Sequence, residues 1–194
     1  MPSSDPFEFF TAEQIAELAS SPVENVSEHW PRLVEQLEHC GINDRATQIA
    51  MIGTVAIETA HRFRPIHEFR NADGSIPAIW HTYDGGPEFH GRGFIQVTHR
   101  SNYARYGPKI AELWGTPMVP ELDLVAVPDR ALDPDISAAV AALYFRDHGG
   151  DHARLIPDAA ARGDWREVRR LVQGADAGLP ELEAIAREAG AVMA

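Results

Sequence analysis

Residues 56–103 read AIETAHRFRPIHEFRNADGSIPAIWHTYDGGPEFHGRGFIQVTHRSNY and bring two separated glutamates together with several glycines and a polar alternating segment. An apolar helical row ends at Glu58, and Glu68 follows ten residues later, beyond Pro65. The spacing and the proline exclude a single helix face for both glutamates, because proline interrupts a helix. We therefore expect Glu58 and Glu68 to face each other across a cleft.

Hydrolysis of a glycosidic bond uses such a pair of carboxyl groups. One is protonated and gives its proton to the leaving oxygen, and the other acts as a base toward water or as a nucleophile. Glu58 suits the acid role, since the C-terminal end of an apolar helix and poor solvation both favour a protonated carboxyl group. Glu68 has polar and cationic neighbours, which favour the ionised form.

Both assignments have competing interpretations. A glutamate at a helix end is most often a solvated surface residue, and Glu58 differs mainly in the apolar helix before it. Glu68 could instead form a salt bridge with Arg64 or Arg70. Glu88 is a rival for the second carboxylate because it precedes the turn at residues 91–93.

The turn Gly91-Arg92-Gly93 precedes residues 94–98, FIQVT, whose alternation of apolar and polar side chains is typical of a strand. Gln96 and Thr98 would then share one face, either as the lining of the cleft or as an ordinary polar face. Arg92 could bind substrate, orient a catalytic carboxylate or hold the loop together. Tyr83 and Trp80 could stack against sugars, although core packing is an equal alternative.

Several motifs in this region resemble those of the family 19 glycoside hydrolases, which comprise chitinases and related phage endolysin domains. The resemblance rests on Glu58-Thr59 with Phe63, the second glutamate, residues 89–98 (FHGRGFIQVT) and Asn102-Tyr103, and it covers roughly residues 11–174. The sequence of residues 70–103 is more similar to the glycosidase domains of mycobacteriophage endolysins than to plant chitinases. The chain departs from the family at Phe89-His90, where many members have Tyr-Tyr, and at Gln173-Gly174, where Asn-Gly is common.

The resemblance implies a role for several residues. Glu58 would be the general acid, Glu68 the second carboxylate and Thr98 a hydroxyl that positions water. Gln96 and Asn102 would bind sugar through their amides. The resemblance also implies a lysozyme-like, mostly helical fold with a small sheet beside the cleft, and inversion of configuration, for which the carboxyl groups stand ~6.5–9.5 Å apart.

Composition and local patterns predict one mainly α domain over residues 1–194, with two helical lobes around the cleft and a minor β element. The chain has 194 residues and 44% hydrophobic content, enough for one substantial core. Capping signals at Thr11, Asp133 and Asp164 predict helix starts. Pro31 is expected to break a helix and Pro108 to begin one.

The charge and the remaining chemistry limit the partners. A net charge of -12 with only 17 Lys and Arg argues against nucleic acid and offers no electrostatic attraction to an anionic cell wall, so affinity would come from the cleft or from a separate wall-binding module. Nine histidines without the His-Glu-x-x-His spacing predict no metal site and no cofactor. Cys40 is expected to be a buried structural thiol.

We therefore predict an endo-acting glycosidase, the catalytic domain of a phage endolysin that acts as a monomer on peptidoglycan glycan strands. No signal peptide or membrane span is recognisable, so synthesis in the host cytoplasm and action on the wall after release are expected. A chitinase is the alternative within the same class. A zinc-dependent wall amidase or peptidase and a non-catalytic wall-binding module are the alternatives from other classes.

Overall fold

The protein is mainly helical, with one very small sheet. The computed structural model describes residues 5–148 and 150–192. Its α-helices are α1 (Ala12–Leu18), α2 (Val23–His39), α3 (Arg45–Glu58), α4 (Arg100–Leu113), α5 (Pro134–Asp147), α6 (Leu155–Ala161), α7 (Trp165–Gln173) and α8 (Leu179–Ala191). Its strands are β1 (Ile66–His67) and β2 (Arg92–Gly93). The predicted mainly α class with a minor β element is confirmed.

The predicted helix starts are where the sequence placed them. The Thr11 hydroxyl accepts a hydrogen bond from the backbone N–H of Gln14 (3.3 Å), and the Gln14 side chain accepts one from the N–H of Thr11 (2.8 Å). The Asp133 carboxylate accepts from the N–H groups of Asp135 and Ile136 in α5, and the Asp164 carboxylate accepts from the N–H of Glu167 in α7. Each cap satisfies N–H groups that have no partner within the helix and typically stabilises it by ~1 kcal/mol.

Two helices continue through prolines, and the predicted break and start were wrong. Pro31 lies inside α2, and Pro108 lies inside α4, which begins eight residues earlier. An interior proline costs ~3 kcal/mol because it removes a backbone hydrogen bond. In α2 this cost is offset by Trp30, Leu33 and Leu37, which are fully buried and each contribute ~1.5–3 kcal/mol.

Helix α3 lies at the centre of the core and ends at the candidate site. Its residues 47–56 are all buried, and it packs against α1, α6, α7 and α8. Gly53 makes the contact with α8 possible, since a Cβ at this position would overlap Leu182 Cδ1. Helix α5 is the second buried helix and packs against α2, α4 and α6. These two helix groups share one continuous core, so α3 delivers its last residue, Glu58, to the edge of a rigid unit.

Residues 94–98 form a turn and not the predicted strand. β1 pairs with β2 in antiparallel fashion, and Arg92 and Val97 exchange backbone hydrogen bonds of 3.3 and 3.0 Å that close a four-residue loop. Gln96 has a left-handed backbone, with φ of 53°. Phe94 is fully buried, and its N–H donates to Ser137 Oγ of α5 at 2.8 Å. The alternation of apolar and polar residues therefore belongs to a turn, and all of its apolar side chains enter the core.

The proline-rich segment 115–133 is an ordered loop across the core. It contains two 3₁₀ turns, Pro120–Leu122 and Pro128–Leu132, and it buries Leu122, Leu124 and Ala131. Cys40 is buried at the end of α2, as predicted, and burial raises the pKa of its thiol to about 11. None of the described helices is long and apolar enough to cross a membrane.

Candidate active site

A cavity of about 480 Å³ beside the end of α3 is lined by both Glu58 and Glu68, and we call it the central cavity. Tyr83, Gln96 and Thr98 line it as well. The structure therefore brings together five of the candidate residues that the sequence singled out. The two glutamates reach the cavity from different elements, Glu58 from the end of α3 and Glu68 from the residue after β1.

Glu58 is held by an arginine that sequence reasoning did not identify. Glu58 Oε1 accepts a hydrogen bond from Arg169 Nη1 of α7 at 2.5 Å. Arg169 is 3% exposed and also donates through Nε to the backbone carbonyl of Ala177. The guanidinium holds Glu58 Oε1 through a charge-assisted hydrogen bond, a partner that the local sequence around Glu58 does not reveal.

Glu68 is held by two neutral donors. Its Oε1 accepts from the Tyr83 hydroxyl at 2.9 Å, and its Oε2 accepts from the backbone N–H of Gly91 at 2.8 Å. Burial and the bond to Glu68 raise the pKa of Tyr83 to about 12, so its hydroxyl stays a donor at neutral pH. Each carboxylate oxygen keeps a second lone pair. Glu68 is thus fixed in orientation and can still accept a proton from water. The alternative in which Glu68 pairs with Arg64 or Arg70 is not observed, since neither salt bridge is present among the described residues.

Thr98 and Gln96 both line the central cavity, although they reach it from a turn. The Thr98 hydroxyl makes no hydrogen bond to another described residue and is available to a water or a ligand. The Gln96 amide nitrogen donates to the carbonyls of Gly93 (2.9 Å) and Ile66 (3.1 Å). Only the Gln96 carbonyl oxygen therefore remains for a sugar, and its amide has a structural task.

Arg92 and Asn102 have contacts that differ from the predicted sugar binding. Arg92 is 6% exposed and donates to Asp129 (2.8 Å), Tyr103 (3.0 Å) and two backbone carbonyls of the same loop. This arrangement corresponds to the alternative in which Arg92 holds the loop together. The Asn102 amide nitrogen donates to the carbonyl of Thr98 at 2.9 Å, and the side chain lines a neighbouring cavity.

Glu88 lies away from the other two glutamates. It is exposed on the 3₁₀ turn Gly86–Phe89, and it lines neither the central cavity nor the two cavities that adjoin it. Its backbone carbonyl accepts from Arg92 Nη1 at 2.9 Å. The placement favours Glu68 over Glu88 as the partner of Glu58.

The aromatic residues divide into a buried and an open one. Trp80 is 1% exposed, and His90 stacks on its ring at 4.2 Å between centroids, so core packing describes it better than sugar stacking. Phe69, which the sequence reasoning passed over, is 49% exposed and lines the central cavity. An open aromatic ring beside the glutamates is a suitable surface for a sugar face.

Two further cavities adjoin the central one. A cavity of about 740 Å³ shares Glu68 and Phe69 with it, and we call it the arginine-lined cavity. A cavity of about 380 Å³ on the opposite side shares Gln96 and Thr98 with it and reaches Gln173, and we call it the helix-side cavity. The three cavities adjoin through shared lining residues and together form a groove, with both glutamates in the central cavity.

Arg169 could have been found from one signal in the sequence. In α7 the residues Trp165, Val168 and Val172 form an apolar row at helical spacing, and Arg169 lies on that row. A charge on a buried face requires a partner, but a single sequence does not show which one. Phe69 gave no signal, since a lone aromatic residue in a loop has no periodicity. Among the described residues there is no group of three or more potential metal ligands.

Comparisons with known proteins place the fold among the chitinase-like, lysozyme-like helical folds. A solved structure of a glutamate-to-glutamine mutant of chitinase C matches with a TM-score of 0.60 and 15% identity, over 94% of this chain and 93% of that chain. Chitinase C from Streptomyces griseus HUT6037 matches with a TM-score of 0.58 and 16% identity, over the same shares. No family model and no curated protein matches the sequence. At such identities the likeness shows the fold alone.

Proposed function

We propose that this chain is an endo-acting glycoside hydrolase that cleaves β-1,4 bonds in the glycan strands of bacterial peptidoglycan with inversion of configuration. The observation that carries the proposal is the central cavity, in which Glu58 and Glu68 lie together but have different partners. A pair of carboxyl groups in unlike surroundings is the arrangement that acid and base roles require.

In the proposed step, Glu58 donates a proton to the bridging oxygen while Glu68 takes a proton from the attacking water. Arg169 occupies Glu58 Oε1, which leaves Oε2 to carry the transferred proton. Tyr83 and Gly91 keep the Glu68 carboxylate in one orientation, and the Thr98 hydroxyl in the same cavity positions the water. Removal of a positioned acid or base typically costs ~10²–10⁴-fold in rate.

The products from purified peptidoglycan test this proposal. Wild-type protein should release fragments with new reducing ends, which mass spectrometry detects after borohydride reduction. Glu58→Gln should keep the fold and lose ~10²–10⁴-fold of this activity. The exposed Glu88→Gln, which removes the same charge outside the groove, is the matched control. New amino termini in place of new reducing ends, or near-normal turnover by a folded Glu58→Gln protein, would overturn the assignment.

Hydrolysis of chitin is the second candidate. The two chitinase C structures with the same fold favour it, since both glycans contain β-1,4-linked N-acetylhexosamines. Turnover of N-acetylglucosamine oligomers and of peptidoglycan oligomers by one preparation ranks the two substrates. If neither is hydrolysed while peptidoglycan is still bound, the wall-binding module replaces the enzyme.

The biological setting belongs to the same proposal. The similarity of residues 70–103 to endolysin domains supports a phage enzyme that is made in the host cytoplasm and reaches the wall after release. We further propose that residues 1–194 form one catalytic domain that works as a monomer, with or without a separate wall-binding module. Sedimentation of the purified chain tests the monomeric state.

A further inference from the structure

The arginine-lined cavity carries a local positive charge on a strongly negative protein. Arg62, Arg64 and Arg70 are all exposed and all line this one cavity, whereas the whole chain has a net charge of -12. The cavity adjoins the central cavity through Glu68 and Phe69. A bound polymer that passes Glu68 would therefore meet these three guanidinium groups.

The three charges are not neutralised by carboxylates of the protein. Within residues 5–148 and 150–192, none of Arg62, Arg64 and Arg70 forms a salt bridge. Arg62 lies over the Phe69 ring at 4.8 Å, and Arg70 lies over the Trp80 ring at 5.7 Å, contacts that position a guanidinium and leave its charge in place.

The remaining lining groups do not reverse this charge. The carboxylate of Asp129 is already paired with Arg92 at 2.8 Å, and Glu68 is held by Tyr83 and Gly91. Three guanidinium groups without a carboxylate partner favour an anionic, acceptor-bearing group over a neutral one.

We propose that the arginine-lined cavity is a subsite for a carboxylate carried by the glycan on the Glu68 side of the bond that is cut. The inference rests on the proposed function, which it deepens by naming the chemical group that selects the substrate. The muramyl unit of peptidoglycan bears a lactyl ether whose carboxyl group is free or extended by a peptide, and that peptide ends in carboxylates. Chitin has no carboxylate at all.

Local charge can outweigh the net charge because salt screens distant charges. The Debye length is ~8 Å at physiological ionic strength, so a carboxylate inside the cavity is influenced mainly by its immediate neighbours. The overall charge of -12 offers no attraction to an anionic wall, but it is compatible with local recognition of a carboxylate in this cavity.

The test uses the full chain and matched glycan substrates. A variant that combines Arg62→Gln, Arg64→Gln and Arg70→Gln is compared with wild type on soluble peptidoglycan oligomers and on the same oligomers with all carboxyl groups amidated. Each exposed ion pair is expected to contribute a factor of ~1.5–5. Three such factors multiply to ~3–125, so the combined variant should lose ~3–125-fold in kcat/KM on the carboxylate form and clearly less on the amidated form. The wild-type preference should shrink as salt is added.

A matched control removes the same charge elsewhere. Arg100→Gln, Arg162→Gln and Arg187→Gln, combined, change three exposed arginines that line none of the three groove cavities. This control should keep the wild-type preference between the two substrate forms. An equal loss on both forms, or the same loss in the control, would overturn the subsite. Peptide-free oligomers then identify the source, because a preference that persists on them assigns the lactyl carboxylate, and one that disappears assigns the peptide.

Failure of the subsite and failure of the proposed function give different results. Binding of the carboxylate and amidated oligomers is measured by calorimetry with the Glu58→Gln protein, in which hydrolysis does not interfere. Absence of new reducing ends from every glycan refutes the glycosidase. Equal affinity for both oligomer forms refutes the subsite, even if hydrolysis is normal. A preference for the carboxylate form that falls in the combined arginine variant supports the subsite in either case.

Discussion

The ion pair between Arg169 and Glu58 makes a prediction that depends on the structure and not on the sequence. Replacement of Arg169 by methionine keeps an unbranched apolar stem, though a shorter one, and removes two contacts, the 2.5 Å bond to Glu58 and the bond to the carbonyl of Ala177. Arg169 is 3% exposed and the Glu58 side chain 16% exposed, so water compensates only partly for the loss.

The magnitude follows from these two contacts. A hydrogen bond to a charged group contributes ~1.5–3 kcal/mol, and the water-filled cavity beside Glu58 reduces the loss, which gives ~2–4 kcal/mol for Arg169→Met. For a chain of this size each kcal/mol lowers the Tm by ~2–4 °C. We therefore expect a fall of ~5–15 °C. Arg170→Met, on the same helix, removes an exposed pair with Asp176 and should cost ~1 kcal/mol or less.

A double-mutant cycle isolates the pair itself. Arg169→Met, Glu58→Gln and the double variant are unfolded in urea and followed by tryptophan fluorescence. The loss caused by Arg169→Met should be ~1–2 kcal/mol smaller in the Glu58→Gln background, because the amide keeps a neutral hydrogen bond but no charge. Additive effects, within ~0.5 kcal/mol, would show that the ion pair contributes nothing and would refute this reasoning.

Three further predictions concern other parts of the molecule. Thr98→Val should lower kcat with little change in KM or Tm. Gln96→Ala should also lower the Tm, because the Gln96 amide donates to two backbone carbonyls. Unchanged turnover in folded Thr98→Val would remove Thr98 from the mechanism. Activity on peptidoglycan should survive exhaustive chelation by EDTA, and loss of activity that zinc restores would replace the glycosidase with an amidase or peptidase. Burial alone would raise the pKa of Asp147, but hydrogen bonds from Arg146 and Lys109 hold it well below its usual range. Asp147→Asn should therefore lower the unfolding free energy by ~2–4 kcal/mol at neutral pH. The difference from wild type should shrink as the pH falls below ~4, because Asp147 is protonated in the unfolded chain before it is protonated in the folded one. A difference in urea melts that does not depend on pH would contradict this.

Capping residues predicted the helix starts well, because a helix cap involves only residues that are close together in the sequence. The capping box at Thr11 and the cap at Asp133 need only three neighbouring positions to be satisfied. Pro31 misled for the opposite reason, since its cost is offset by the burial of α2 side chains, which depends on contacts with other helices. Helix propensity depends on neighbouring residues in the sequence, whereas packing depends on residues that are distant in the sequence.

The same distinction applies to the site. The shared cleft of Glu58 and Glu68 could be predicted, because the end of α3 and the loop that follows it are close in sequence. Arg169 is more than a hundred residues from Glu58, and no periodicity connects the two. Gln96 illustrates a second limit, since polar and apolar letters alternate equally well along a strand and along a turn that buries Phe94 and Val97.

The contacts of the two glutamates suggest a direction for charge movement in the proposed reaction. When Glu68 takes a proton from water and Glu58 gives one to the leaving oxygen, one negative charge disappears beside Tyr83 and Gly91 and one appears beside Arg169. The neutral donors remain satisfied by a protonated carboxyl group, while the guanidinium stabilises the new carboxylate without any reorganisation, as preorganised groups at developing charge do. Arg169 would thus favour the products of proton transfer over the reactants. Arg169→Met should therefore turn over less substrate per folded molecule, in addition to being less stable. Kinetic measurement at a temperature well below the Tm can detect this loss. Full turnover at that temperature would show that Arg169 has a structural role only.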